Sequence, residues 1–146
     1  MPVLKDEKVI SELKRIASEN RGILMPETVV AEARLKTSPL HDHFDWDDSE
    51  AAKLWRIHQA RRLINVCVEY IGPEDERREM RVFVSLRDDR DEGGYRLLEK
   101  VVSTKGLRAQ LLEDAMEEMN FFREKYKDLK ELSEVFAAMD SVLVRK

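Results

Sequence analysis

One cysteine, four prolines and five glycines in 146 residues leave several classes of protein without their materials. The single Cys67 cannot close an intrachain disulfide and offers no thiolate cluster for structural zinc. It lies in the apolar run "INVCVEYI", the setting of a buried small hydrophobe rather than of a nucleophile. The opening "MPVLKDEKVI" has no signal-peptide apolar core, and no run approaches the roughly 20 apolar residues that span a bilayer. A cytoplasmic location without membrane contact is expected. Also missing are a Gly-x-Ser-x-Gly elbow, a P-loop and a dinucleotide fingerprint; "EGGYR" has the glycines without the spacing and reads as a turn. Paired carboxylates in "EDAMEEM" fit a solvated helix face. A non-enzymatic protein, with no catalytic residues, cofactor or metal, is expected.

Charge, by contrast, is abundant. Asp, Glu, Lys and Arg make up 38% of the chain, and apolar residues 42%, enough for a core. With so little Gly and Pro, this composition predicts helices with ion-paired faces. The net charge of −4 is uneven. Residues 1–64 hold 11 Lys/Arg against 11 Asp/Glu, and residues 65–146 hold 15 against 19. A phosphate-facing patch belongs more naturally in the first half.

The spacing predicts a helix over about Asp6 to Asn20, with Val9, Leu13, Ile16 and Ala17 on one stripe and Gly22 as its stop. Pro26 opens a second helix, buried through Val29, Val30, Ala33 and Leu35. After "TSP" comes a short segment around Leu40 to Phe44, then a strong helix from Asp48 through "SEAAKLWRIHQARRLINVC". Its expected buried band includes Ala51, Ala52, Leu54, Trp55, Ile57, Leu63 and Ile64, with His58 and Arg62 nearby. "VCVEYIG" and "MRVFVSLR" alternate and predict an antiparallel hairpin around a polar loop. In "DDRDEGGY", Gly93 and Gly94 are free to take positive φ. No Gly or Pro occurs from Leu107 to Lys146, where Leu112, Ala115, Met119, Phe122, Tyr126 and Leu129 step by three and four. A single helix there would run roughly 60 Å, so a break near Asp128 giving a helical hairpin is the preferred reading.

The expected fold is thus α+β and mainly α: N-terminal helix-turn-helix-like helices, a two-stranded antiparallel hairpin, and a C-terminal helical hairpin or long helix. Residues 1–90 would form the first unit and 91–146 a helical part packed on it or dimerising.

The stretch "HDHFDWDDSEAA" concentrates His41, His43, Asp42, Asp45, Asp47, Asp48 and Trp46. Two histidines two apart diverge by roughly 200° on a helix, and the zinc-hydrolase spacing is not present. The simpler reading is a helix start: Asp47 and Glu50 as a capping box, Asp48 and Glu50 against the helix dipole, and Trp46 stapled over Ala51. A hydrolase using His41, His43 and Asp45 remains the lesser alternative.

Helix, turn, short segment, helix and hairpin is also the order of a winged helix-turn-helix. In that reading Pro26 to Arg34 is the supporting helix, "LKTS" the turn and Ser38 to Phe44 the start of the recognition element. Lys36, Thr37, Ser38, His41 and His43 would approach base edges, with Arg61, Arg62, Arg77 and Arg78 on phosphates. Asp42, Asp45, Asp47 and Asp48 oppose it by repelling phosphate. The alternative is a protein–protein adaptor in which Trp46, Trp55 and the stripe Met116, Met119 and Phe122 face a partner helix. The expected partners are therefore double-stranded DNA and a second copy of the chain, with a phage or host protein as the other possibility.

"SPLHDHFDWDDSEAAKLWRIHQARRLI" and "VFVSLRDDRDEGGYR" together resemble a group of small uncharacterised proteins of bacteriophages and prophages. The shared features are a Pro-Leu-His, Phe-x-Trp-Asp-Asp, Gln-Ala-Arg-x-Leu-Ile block, then Val-Ser-Leu, Asp-Arg and Gly-Gly-Tyr-Arg, then a helical tail. The resemblance covers about residues 22 to 140. It implies a phage-associated origin and carries no activity or site residue with it.

Overall fold

The computed structural model describes residues 3–47 and 49–144, and its chain divides into two compact units, residues 1–103 and 104–146. It is α+β and mainly helical. The first unit runs past the expected end at residue 90 because the strand that follows the glycine turn pairs back into it.

Helix α1 (Glu7–Glu19) starts where the Asp6 carboxylate accepts the N–H groups of Lys8 and Val9 at 2.9 and 3.3 Å. It buries Val9, Ile10, Leu13, Ile16 and Ala17. It ends as Arg21 and Gly22 take positive φ (60° and 81°) and the Gly22 N–H reaches back to the Ala17 carbonyl. Strand β1 (Ile23–Leu24) follows, then α2 (Pro26–Ala33), with Val29, Val30 and Ala33 buried. Leu35, expected on that face, is exposed in the turn beyond.

Helix α3 (Glu50–Val66) packs on α2 through a stripe that the larger apolar residues did not advertise. Ala52, Arg56, Ala60, Leu63 and Ile64 are buried, whereas Leu54 is 76% and Trp55 45% exposed. The expected face is thereby corrected: two alanines let the helices approach closely, and a face bearing Leu54 and Trp55 points to solvent. Its cap is also different. Ser49, not Asp47, accepts the Ala52 N–H (3.2 Å), while Asp47 accepts the Ser49 N–H (3.1 Å) and Glu50 pairs with Lys53. Ala51 is exposed and forms no staple with Trp46. Asp48, assigned a dipole role, lies outside the described residues.

The hairpin forms as expected between β2 (Val68–Ile71) and β3 (Arg78–Arg81), antiparallel with Val68 opposite Arg81 and Ile71 opposite Arg78. The second expected strand is split, however. Val82 donates its N–H to the Cys67 carbonyl and accepts from the Leu98 N–H, so the chain changes sheets there. Strand β4 (Phe83–Val84) then joins β5 (Tyr95–Leu97), which pairs with β1, giving the antiparallel order β1-β5-β4. Between them lies the one-turn helix α4 (Arg87–Arg90), tied to β5 by a bidentate Arg96–Asp89 pair at 2.6 and 3.0 Å. Gly93 has φ 78°; Gly94 serves a different purpose, since a Cβ on it would stand 2.8 Å from the Ile23 side chain. Helix α5 (Leu98–Ser103) closes the unit. Cys67 sits in the core, fully buried, its thiol donating to the Leu63 carbonyl, and burial pushes it up to about 12.

The second unit is a helical hairpin, as the preferred reading had it. Helix α6 (Lys105–Tyr126) turns at Lys127 and Asp128, and α7 (Ser133–Val144) returns. Phe122 touches Tyr126 and Phe136, and Arg123 holds Asp140 at 2.9 Å. Among its described residues Phe136 is the one buried apolar side chain.

Candidate functional site

The aspartate- and histidine-rich stretch before α3 resolves into an aromatic and guanidinium cluster. His41–His43 form a single 3-10 turn. The His41 Nδ1–H donates to the Ala33 carbonyl at 2.8 Å, and its ring stacks on Trp46 at 5.0 Å and 11°. Trp46 donates its indole N–H to the His41 carbonyl (2.9 Å), leans on Phe44, and has the Arg34 and Arg56 guanidinium groups over its ring at 5.4 and 5.5 Å. Arg56, 2% exposed, donates to the backbone carbonyls of Asp45 and Asp47 at 3.1 and 2.5 Å. His41 is thus committed inside the fold and is not available to base edges. Among the described residues no three His, Cys, Asp or Glu side chains converge as metal ligands.

A second consequence concerns the recognition element. Three residues of 3-10 helix at His41–His43 cannot fill a major groove as a helix does. Lys36 and Thr37 are exposed in the turn after α2, and the Ser38 hydroxyl is engaged by the Leu40 N–H at 3.2 Å. Helix α3, packed on α2 by one face, leaves its other face exposed. Its outward stripe steps by three and four through Ala51, Leu54, Trp55, His58, Arg61, Arg62 and Asn65. Neither Arg61 nor Arg62 makes an ion pair among the described residues, whereas Lys5, Lys14, Arg15 and Lys53 are all paired. Asn65, at the far end, accepts from Arg81 (3.1 Å), which carries the basic surface onto β3.

Beside this stripe lies an open groove of about 250 Å³ lined by His43, Trp55, His58, Gln59, Arg62, Leu63 and Val66. Of the expected site residues it brings together His43 and Arg62. It adds Trp55, His58 and Gln59, which the expected burial of Trp55 had hidden. The Trp55 ring stacks on His58 at 5.2 Å and its indole N–H is fixed by Asp45 at 3.1 Å. Gln59 grips the same Asp45 through its backbone N–H (3.2 Å) and carboxylate (3.4 Å). Asp45 is therefore the groove's backing, with two donors already on its carboxylate.

The remaining cations are less promising. Arg77 lines a larger cleft of about 490 Å³ between α1 and β2, where Lys14 pairs with Glu69 and Lys5 with Glu79 and Tyr70. Arg78 is exposed on β3, next to a hairpin loop carrying Glu74, Asp75 and Glu76. In the second unit Met116 and Met119 are half-buried and Phe122 is 39% exposed, alongside exposed Leu112, Phe121, Leu129, Val135 and Val142.

No family model, curated protein or solved structure matches the chain.

Proposed function

We propose that the protein binds double-stranded DNA with α3 as its groove-facing helix and self-associates through the α6–α7 hairpin. The element order α1-β1-α2-α3-β2-β3 matches the winged helix-turn-helix arrangement, with the base-facing role moved from Ser38–Phe44 to α3. The observation that carries the reading is the outward stripe of α3, in which His58, Arg61 and Arg62 stand exposed with both guanidinium groups unpaired among the described residues, while the Asn65 amide is held by Arg81 and Tyr95. Arg is the side chain whose paired donors match the guanine edge. Lys36 supplies a flanking phosphate contact. The hairpin loop, with three acids beside Arg77 and Arg78, adds little attraction for phosphate. A net charge of −4 makes this a local patch rather than a coat.

Binding to a random-sequence duplex should fall linearly on a log–log plot against salt, because each phosphate neutralised releases about 0.9 counterion. Arg61→Gln combined with Arg62→Gln should flatten that slope by about two. An unchanged slope in the double variant removes α3 from the interface.

A further inference from the structure

From the groove beside α3 we infer that it holds one unpaired nucleotide of a nucleic-acid strand, with the base stacked on Trp55 and the phosphate on Arg62 and the two imidazoles. This inference rests on reading the α3 face as a nucleic-acid surface, and it adds a base pocket to that face.

The lining has the composition such a ligand needs. Trp55 is a flat apolar platform, 45% exposed and part of the groove lining, with the His58 imidazole stacked on its indole. Its rotation is restrained by the indole N–H bond to Asp45, so the platform is set before the ligand arrives. Leu63 and Val66 supply an apolar floor, and His43, His58, Gln59 and Arg62 bring hydrogen-bonding groups around it. Among the described residues the lining itself holds no carboxylate, and the Asp45 carboxylate behind it already accepts from Trp55 and Gln59. At about 250 Å³ the space lies just below the roughly 300–1,000 Å³ of pockets for drug-sized ligands, which suits a single base and its phosphate. The groove is open rather than enclosed, so a strand can enter and leave it while one base is held. Arg62 belongs both to this groove and to the stripe of α3, which makes the two surfaces continuous. Sequence-tolerant stacking on an aromatic beside cations is how single strands are generally gripped.

The test uses full-length protein and the fluorescence of its two tryptophans. Trp46 is enclosed by His41, Phe44, Arg34 and Arg56, so a Trp46→Phe variant isolates the Trp55 signal. Three probes are titrated: an oligothymidylate, an abasic strand of equal length, and free thymidine monophosphate. We expect quenching by the oligothymidylate, much weaker binding of the abasic strand, and no response to free nucleotide at the same concentration. Trp55→Ala should lower oligothymidylate affinity roughly tenfold or more, the scale of one stacked base, and Trp55→Phe should restore most of it. Equal affinity for the abasic strand, or an unaffected Trp55→Ala variant, overturns the base pocket. Comparable response to the free nucleotide overturns the strand as its source. Duplex binding that persists with its salt slope through either failure leaves the reading of α3 standing, so the two proposals fail separately.

Discussion

Arg56 shows how much one side chain can decide. Charged residues are seldom buried without partners, because desolvating the charge costs several kcal/mol unless hydrogen bonds replace the water. Here the Nη1 donates to two backbone carbonyls, those of Asp45 and Asp47, and the guanidinium lies over the face of Trp46, while its Nε is buried without a partner among the described residues. Phe44 to Asp47, ahead of α3, have no regular structure, and these bonds help to fix their path. That path in turn places Asp45 behind Trp55 and Gln59. Arg56→Met keeps most of the stem volume and loses the donors. It should cost about 1–2 kcal/mol in urea denaturation, the scale of losing hydrogen bonds from a charged donor to part-buried carbonyls. Arg56→Ala, which adds a cavity, should cost more. The Trp55 groove should loosen in both variants, seen as a red shift of tryptophan emission under native conditions. Equal stability of wild type and Arg56→Met would mean the carbonyls find water instead.

Among the elements, what was legible depended on whether side-chain size followed burial. In α1 it did. Val9, Leu13, Ile16 and Ala17 form both the readable stripe and the buried one, and Asp6 and Gly22 mark the ends. In α3 size and burial part company: the buried stripe is Ala52, Arg56 and Ala60, while Leu54 and Trp55 lie outside. Small residues carry almost no hydrophobic signal of their own, so the sequence places Ala52, Leu63 and Ile64 correctly but adds Leu54 and Trp55 to the buried band in place of Arg56 and Ala60. The groove stays hidden because the spacing places Trp55 in the buried band, or, in the adaptor reading, against a partner helix, and does not join it to His43, His58 and Gln59. The small sheet was missed for another reason. Ile23–Leu24 spans two residues, too few to show a period of two; Phe83–Val84 lies inside the expected strand "MRVFVSLR", but its pairing, like that of Ile23–Leu24, is with Tyr95–Leu97 rather than with the hairpin. Gly94 is the point at which this small sheet can be tested. Its missing side chain lets Ile23 approach to 2.8 Å of where a Cβ would be, with the Met25 sulfur at 3.3 Å. The φ of Gly94 is not in the left-handed region, so strain comes from contact alone. Gly94→Ala should therefore destabilise the first unit by about 1–3 kcal/mol, the usual scale of overpacking, and Ile23→Val in the same chain should recover part of that loss. Thermal denaturation of the single and double variants measures the coupling; a neutral Gly94→Ala would show that β1 shifts freely.

At the scale of the whole molecule, the two units differ in how they satisfy their apolar residues. The first encloses a core from Val9 to Tyr95. The second, over its described residues, buries Phe136 and leaves Leu112, Phe121, Phe122, Leu129, Val135 and Val142 each at least 39% exposed. Two helices alone present too little surface to enclose a core, which is why such hairpins commonly pair. A stable interface needs about 800 Å² from each partner, and an aromatic side chain can bury roughly 150–250 Å², so Phe121 and Phe122 with the four aliphatic side chains around them supply part of the requirement. Helix α6 spans about 33 Å at 1.5 Å per residue, while α7 returns along only 12 residues, leaving part of α6 without a neighbour in its own hairpin. A second copy fits because an isologous contact uses one patch twice. It would also give DNA two copies of α3, as the half-site logic of helix-turn-helix dimers requires. Leu112→Glu with Phe121→Glu separates this from ordinary surface change. At side chains 56% and 73% exposed, these substitutions should move monomer stability by no more than about 0.5 kcal/mol. If a second copy covers them, sedimentation should report a dimer for the wild type and a monomer for the variant. The wild-type melting temperature should then rise with protein concentration while the variant's does not. Duplex affinity should fall in the variant although Arg61 and Arg62 are intact, because one half-site is lost. A wild-type chain that sediments as a monomer at tens of micromolar, melting at a temperature independent of concentration, would assign the exposed face to a different protein.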